Sequence, residues 1–262
     1  MIVLISPAKT LKRLEIPFID EIKQDFRQPD FFDKSLKLVQ ILKTLSAKQL
    51  EKLLEVSNSI AKLNYERFQS FPNKLTFDEA YPSIFLFYGD VYKGFDFKRY
   101  RKEHIEFMQD HLRILSGLYG ILKPLDLIYP YRLEMGTDLS QIKEFFVSSL
   151  YDFWKEDITN YLNKELKKQK NAFLINLASN EYFSVIDLNK ILFPVIHIHF
   201  QEKRNGKYRT IAINAKRARG KMTNWIMFNQ IDDIEKLKDF DVDGYKFSSS
   251  LSDESNWYFL KG

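Results

Sequence analysis

Short, wholly apolar runs separated by amphipathic stretches constrain the fold of this chain more than any other feature. The runs Ile2–Ile5, Ser83–Tyr88 and Ala172–Leu177 indicate buried strands, because each is brief, rich in β-branched or aromatic residues and bounded by turn-forming residues. The segments between them carry helical periodicity, and strands that alternate with helices build a sheet covered by helices. We therefore predict a mixed α/β (α+β) fold, with residues 1–262 forming one compact domain.

Helical periodicity is strongest in a subregion at about residues 31–71 and in two later segments. Within the subregion, Ser46 followed by Gln49 is a capping-box pattern that starts a new helix. The later helices are predicted over Phe146–Lys168 and Ala215–Gln230. Charged faces on such helices are usually solvated, so we interpret the subregion as scaffold.

One β-hairpin is predicted close to the last long helix. The segments Ile191–Phe200 and Tyr208–Asn214 have strand character, and Asn205-Gly206 between them is a strong signal for a tight hairpin turn. Strands joined in this way are antiparallel, so the predicted sheet is mixed.

The chain contains no cysteine, which excludes disulfides, zinc–thiolate sites, iron–sulfur clusters and cysteine nucleophiles. The N-terminal MIVLIS run is apolar for only a few residues, so we expect no signal peptide. No stretch approaches the uncharged length of a membrane span, so we expect no membrane partner and a cytoplasmic location.

Positive charge is concentrated in one segment. The chain has 40 Lys+Arg against 35 Asp+Glu, a net charge of +5, yet residues 201–221 hold eight basic side chains and one acid. Lys216, Arg217 and Arg219 lie at its strand-to-helix junction, where like charges repel unless they are solvated or face an anion. A solvated face and a groove for phosphate or nucleic acid are the two interpretations.

The usual cofactor signatures are missing. The sequence has no P-loop, no G-x-G-x-x-G, no G-x-S-x-G and no H-E-x-x-H, so we predict no cofactor. His197 and His199 share one face of a predicted strand, but no carboxylate lies beside them at ligand spacing. We expect no metal site there.

Polar side chains directly follow the predicted buried strands, where sites form in α/β sheets. Lys9 follows the first strand, Asp90 follows the second, and Ser179, Asn180 and Glu181 follow the third. A helix cap or a turn is the alternative role for any one of them. Their shared position predicts that they converge at one edge of the sheet.

Two further segments carry candidate groups. In an extended chain Arg132 and Glu134 share a face, where Arg132 can hold a phosphate and Glu134 can act as acid or base; a plain surface ion pair is the alternative. The segment Gly117–Gly120, with Tyr119 inside it and Lys123 after it, allows close approach of a phosphate to the backbone. By spacing alone it is a tight turn.

These motifs together resemble the YaaA peroxide-stress family of bacterial cytoplasmic proteins. The resemblance reaches from end to end of the chain, and the long central block is highly specific. The matching segments are LISPAKT (4–10), YGDVYKG (88–94), LRILSGLYGILKPLDLIYPYRLEMGT (112–137), NLASNEYF (176–183) and AKRARGKM (215–222).

The resemblance implies a role in surviving hydrogen peroxide by limiting iron-driven oxidative damage. It also implies a single α/β domain with a basic cleft, DNA binding, and a helix-hairpin-helix-like element on residues 112–127. It gives added weight to the candidates that lie inside matching motifs: Lys9, Asp90, Arg132, Glu134, Asn176, Ser179, Glu181, Lys216, Arg217 and Arg219.

Two functional hypotheses remain. In the first, a DNA-binding stress protein holds duplex or branched DNA through the basic segment and the Gly117–Gly120 turn. In the second, an enzyme acts on a nucleic acid, nucleotide or other small phosphorylated ligand, with Lys9, Asp90 and Glu134 as catalytic groups. Direct iron sequestration is disfavoured, because the chain has no cysteine, few histidines and no di-iron motif.

Overall fold

A computed structural model describes residues 1–16, 18–145 and 147–262. In chain order the strands are β1 (Ile2–Ile5), β2 (Tyr81–Pro82), β3 (Leu112–Ser116), β4 (Gly120–Leu122), β5 (Leu127–Ile128), β6 (Leu174–Asn176), β7 (Val195–Arg204), β8 (Lys207–Arg209), β9 (Lys246–Phe247) and β10 (Asn256–Lys261). The main sheet has the order β4-β3-β1-β6-β7-β10-β9, with β8 paired to β7, and a small second sheet joins β2 to β5.

Helices surround this sheet, and the predicted α/β class is confirmed. They are α1 (Ile19–Ile22), α2 (Phe32–Lys43), α3 (Ala47–Leu54), α4 (Asn58–Gln69), α5 (Ser83–Leu86), α6 (Lys102–His111), α7 (Leu150–Leu166), α8 (Asn180–Phe183) and α9 (Ala212–Phe228). No helix of the described ranges is long and apolar enough to cross a membrane. Phe146, where we predicted that the α7 helix begins, lies outside the described residues.

The centre of the sheet is parallel, and this places several strand ends at one edge. β3, β1, β6, β7 and β10 run side by side in the same direction. The whole of β1 is buried, as its apolar run predicted. β6 stops at Asn176, which lies opposite His197, whereas β7 continues seven residues further to Arg204. At about 3.3 Å per residue, β7 extends roughly 23 Å past the end of β6.

The helical subregion and the hairpin agree with the local patterns. Ser46 caps α3, because its hydroxyl accepts from the Gln49 amide while the Gln49 side chain accepts from the Ser46 amide. Asn205 and Gly206 join β7 to β8 with φ values of 50° and 77°, as a tight hairpin turn requires. The second arm of the hairpin is shorter than predicted, since residues 212–214 already belong to α9.

The prediction of a strand over Ser83–Tyr88 is wrong. Residues 83–86 form the single helical turn α5. The Ser83 hydroxyl donates to the carbonyls of Lys123 (2.9 Å) and Pro124 (3.1 Å), and the Ser83 amide donates to the Asp126 carbonyl. A short apolar run has no periodicity that separates a strand from a buried turn of helix, so these distant contacts decide the conformation.

Residues 112–127, where the resemblance implied a helix-hairpin-helix element, form a different structure. β3 and β4 pair antiparallel across the Gly117–Gly120 turn, so strands stand where helices were expected. The turn is buried: the Trp154 indole donates to the Gly117 carbonyl at 2.9 Å, and a Cβ on Gly117 would lie 2.5 Å from the Leu133 oxygen. A turn buried in this way offers no surface to a DNA phosphate.

Candidate functional site

A polar cleft lies at the edge of the sheet where β1 and β6 end. It consists of two neighbouring cavities of about 760 and 200 Å³, and both are lined by Lys9 and Glu181. The larger cavity has Arg132 and Glu134 on one side and residues of α3, among them Lys52, on the other. Its volume is in the range of small-ligand sites.

The loops after β1 and β6 are tied together beneath the smaller cavity. The Ser179 amide donates to the Ser6 hydroxyl at 2.9 Å, and the Tyr92 hydroxyl donates to the Ser6 carbonyl at 2.9 Å. Ser179 occupies the N-cap position of α8 without a side-chain capping bond; its hydroxyl instead lies 3.2 Å from that of Ser6. The two hydroxyls are therefore held in the wall of the cleft.

Asn176, the last residue of β6, holds the loop that follows this strand. It is buried; its side-chain oxygen accepts from the Ala178 amide at 2.9 Å, and its nitrogen lies 3.0 Å from His197 Nδ1. Burial and the neighbouring His199 both lower the pKa of His197. Asn176 thus shapes the loop that carries Ser179 and lines neither cavity.

Glu134 joins two cations in the larger cavity. Its Oε2 lies 2.5 Å from Lys9 Nζ, and its Oε1 lies 2.9 Å from Arg132 Nη2. The Lys9 side chain remains 63% exposed, so an incoming ligand can reach it. Lys9 and Glu134 are in direct contact, as joint catalysis requires.

Asp90 lies across the smaller cavity and faces α9. Arg217 Nε lies 3.4 Å from Asp90 Oδ1, and Lys93 Nζ lies 4.0 Å from the same atom. These ion pairs are exposed, where such contacts contribute well under about 1 kcal/mol of stability. Asp90 therefore neutralises part of the charge on α9 and leaves the rest to face the cleft.

Arg219 lines the same cavity but, unlike Arg217, does not form an ion pair with Asp90. Within the part of the chain that the structure describes, no carboxylate lies at ion-pair distance from Arg219, and its buried Nε has no hydrogen-bond partner. Burial lowers the pKa of this guanidinium. Lys216 lines the cavity beside it. A half-buried cation without a counter-charge is costly, and an anion in the cavity would offset that cost.

Glycines let α9 approach the Asp90 loop closely enough to form this wall. A Cβ on Gly220 would lie 1.9 Å from the Val91 oxygen, and one on Gly94 would lie 2.7 Å from the Gly220 carbonyl carbon. Backbone therefore meets backbone at this crossing. One glycine from each of the YGDVYKG and AKRARGKM segments thus permits the contact between them.

The structure brings most of the predicted site residues to the cleft and places others elsewhere. The residues that line its cavities are Lys9, Asp90, Arg132, Glu134, Ser179, Glu181, Lys216 and Arg219. Arg217 joins them through Asp90. Gly117, Tyr119 and Gly120 are buried in the β3–β4 turn, and Lys123 lies 3.2 Å from Glu165 and lines neither cavity.

Sequence reasoning missed Ser6, Tyr92 and the α3 side of the cleft. Ser6 directly follows β1, so the rule that selected Lys9 also selects Ser6. Gln49, Lys52 and Glu55 reach the larger cavity only because the helical subregion packs over it. No local pattern marks them as site residues: Gln49 is predicted only as part of the α3 capping box, and the sequence pattern favours a scaffold role for these helices.

Known proteins resemble this chain over its full length. Residues 1–251 match the family described as peroxide stress protein YaaA. UPF0246 proteins from Crocosphaera subtropica and from Legionella pneumophila strain Corby are 46% and 44% identical over 264 and 262 residues, covering 100% of this chain and 100% and 99% of those proteins. A UPF0246 protein from Rickettsia bellii is 44% identical over 261 residues, with both chains fully covered. The chain belongs to the YaaA peroxide-stress family.

Proposed function

We propose that this chain is a cytoplasmic protein of the peroxide response that binds DNA by holding its phosphates in the smaller cavity of the cleft, where Lys9, Lys216 and Arg219 outnumber Asp90 and Glu181. The observation that carries the proposal is Arg219, a half-buried guanidinium in the smaller cavity with no carboxylate partner among the described residues. Lys216 and Lys9 line the same cavity. Phosphate oxygens match a guanidinium in charge and geometry, and phosphates dominate the affinity of proteins for DNA.

Binding of the protein to DNA phosphates would reduce iron-driven oxidative damage to the DNA. Cations of a bound protein displace the counterions that a phosphate backbone holds. Ferrous ions held at phosphates would be among those displaced, so less iron would remain at the DNA to react with peroxide. We propose that the protein protects in this indirect way.

The first test compares Arg219→Gln with Arg217→Gln, because the two side chains share charge and helix but differ in partners. We expect Arg219→Gln to weaken binding to a labelled DNA duplex by about 10- to 100-fold, as removal of one charge-assisted contact predicts. Arg217→Gln removes a cation that Asp90 already neutralises in part, so its effect should be smaller.

The assay is fluorescence anisotropy across a salt series, with duplex, branched and single-stranded DNA. Wild-type affinity should fall steeply as salt rises. Absence of binding by the wild-type protein at low salt would overturn the proposal. If the two substitutions lowered DNA affinity equally, Arg219 would not be the main phosphate-binding residue.

Enzymatic action on a phosphorylated substrate is the second candidate, and the contact of Lys9 with Glu134 favours it. In this mechanism Lys9 and Arg132 hold the anion, while Glu134 transfers a proton as general acid or base. The larger cavity would receive the remainder of the substrate. Incubation with DNA, nucleotides and sugar phosphates, followed by phosphorus NMR, would reveal turnover.

Glu134→Gln separates the two candidates. If Glu134 only competes with the ligand for Lys9 and Arg132, Glu134→Gln should strengthen the binding of DNA or a nucleotide by roughly fivefold. The reason is that the substitution removes a repulsion of about 1 kcal/mol between the carboxylate and the phosphate. If Glu134 is the acid or base, turnover should disappear while binding persists. Glu144→Gln, an exposed carboxylate that lines neither cavity, is the matched control.

A further inference from the structure

The β7–β8 hairpin forms a basic arm, residues 203–209, which the cleft does not include. Its four cations are Lys203, Arg204, Lys207 and Arg209, and every residue of the arm is exposed. The arm lies at the end of the roughly 23 Å by which β7 extends beyond β6. It therefore projects from the same edge of the sheet as the cleft.

The base of the arm is fixed while its tip is free. The buried carboxylate of Glu202 accepts from the Tyr245 hydroxyl at 2.9 Å, from Asn214 at 2.8 Å and from Arg204 at 3.1 Å. These bonds tie the arm to α9 and to the segment before β9. At the tip, a Cβ on Gly206 would meet nothing within 4 Å. The arm is thus a preorganised ribbon without a covering partner among the described residues.

The cations of this ribbon are divided unequally between its two faces: Arg204, Lys207 and Arg209 share one face, and Lys203 lies on the other. Lys203 lies opposite Tyr208, and Arg204 lies opposite Lys207, on alternate faces of the two strands. Glu202, the acid that directly precedes the arm in the chain, already has three hydrogen-bond donors. The 39% exposure of Tyr208 leaves an aromatic ring beside Lys203 at the surface.

We propose that the basic arm enters the major groove of duplex DNA, an inference that rests on the proposed DNA-binding function. A major groove about 12 Å wide admits a two-stranded β-ribbon. A ribbon in the groove turns one face toward the base edges and lies between two phosphate walls. The face with Lys203 and Tyr208 is directed at the bases, and the long side chains of Arg204, Lys207 and Arg209 reach the flanking phosphates. Tyr208 then meets the edges of the bases, and the cleft holds phosphates beside the groove.

The test replaces all four cations of the arm with Gln and compares the product with a control of equal charge change. The control replaces four exposed lysines far from the arm in sequence, Lys62, Lys164, Lys167 and Lys170, with Gln. Affinity for a duplex is measured against salt concentration. Guanines are then methylated at N7 with dimethyl sulfate, which modifies the major groove, and interference with binding is mapped.

We expect the arm variant to lower the salt slope by about 3 to 4, close to one for each phosphate that the arm no longer neutralises, and the control to leave it unchanged. Methylation at N7 should weaken binding of the wild type and have no effect on the arm variant. Two results would overturn the proposal that the arm enters the major groove and leave the DNA-binding proposal intact. They are wild-type binding that is insensitive to N7 methylation and an arm variant with the wild-type salt slope. A wild type that binds anionic lipid vesicles and no DNA overturns both proposals.

Discussion

Replacing Glu165 with Gln should cost about 3–5 kcal/mol of unfolding free energy, because it leaves a buried charge without its partner. The Arg113 side chain is 1% exposed, and its Nη2 donates to Glu165 Oε2 at 2.7 Å. Lys123 Nζ lies 3.2 Å from the same oxygen, and Lys168 pairs with the other one. Gln keeps the size of Glu165 and removes the charge on which all three cations depend.

The destabilisation should depend on pH. Burial by itself raises the pKa of Glu165, but hydrogen bonds from Lys168 and Arg113 outweigh burial and lower it from 4.5 to about 2. A carboxyl with a lowered folded-state pKa contributes its full stability above pH 4.5 and loses it as the pH falls toward 2. The difference between wild type and Glu165→Gln should therefore shrink over this range.

Urea unfolding followed by circular dichroism at several pH values measures both effects. Glu156→Gln is the matched control, since Glu156 is an exposed carboxylate on the same helix, α7. It should change stability by less than about 0.5 kcal/mol. A cost below about 1 kcal/mol for Glu165→Gln near neutral pH would show that the network does not depend on this carboxylate.

The second large effect is expected from Gly220→Ala. The added Cβ would lie 1.9 Å from the Val91 oxygen, and both groups are backbone or directly attached to it, so α9 must move. Overpacking of this kind costs about 3 kcal/mol, well above the roughly 1 kcal/mol that Ala gains over Gly inside a helix. Gly262→Ala is the control, because a Cβ there meets nothing within 4 Å.

The same substitution should damage the cleft. A shift of α9 away from Val91 changes the position of Lys216 and Arg219 relative to the Asp90 loop. We expect DNA affinity, measured on protein that circular dichroism shows to be folded, to fall together with stability. Unchanged urea stability in Gly220→Ala would contradict the tight crossing between α9 and residues 91–94.

Structural features that depend only on neighbouring residues were predictable from the sequence. The Ser46–Gln49 capping box and the Asn205-Gly206 turn depend on side chains and φ angles within a few residues, so the sequence determines them locally. The site was predictable in outline for a topological reason. Parallel strands end at one edge, so Lys9 and Glu181, which follow two different strands, line the same cavities.

Other features depended on distant contacts. Ser83 bonds to the carbonyls of Lys123 and Pro124, some forty residues away, and those bonds determine a helical turn where the apolar run predicted a strand. The Gly117–Gly120 turn is buried because Trp154 and the Leu133 backbone cover it. No local pattern reports which surface of a turn its neighbours will cover.

Arg217 and Arg219 show most clearly what the sequence determines and what only the tertiary structure determines. The sequence by itself placed both on one basic helix near the end of a strand. Residues two apart on an α-helix are about 200° apart around its axis, so they point in different directions. Only the tertiary structure decided that Arg217 meets Asp90, because Asp90 comes from a loop more than a hundred residues away. It also decided that Arg219 lines the smaller cavity with no carboxylate of the described residues at ion-pair distance.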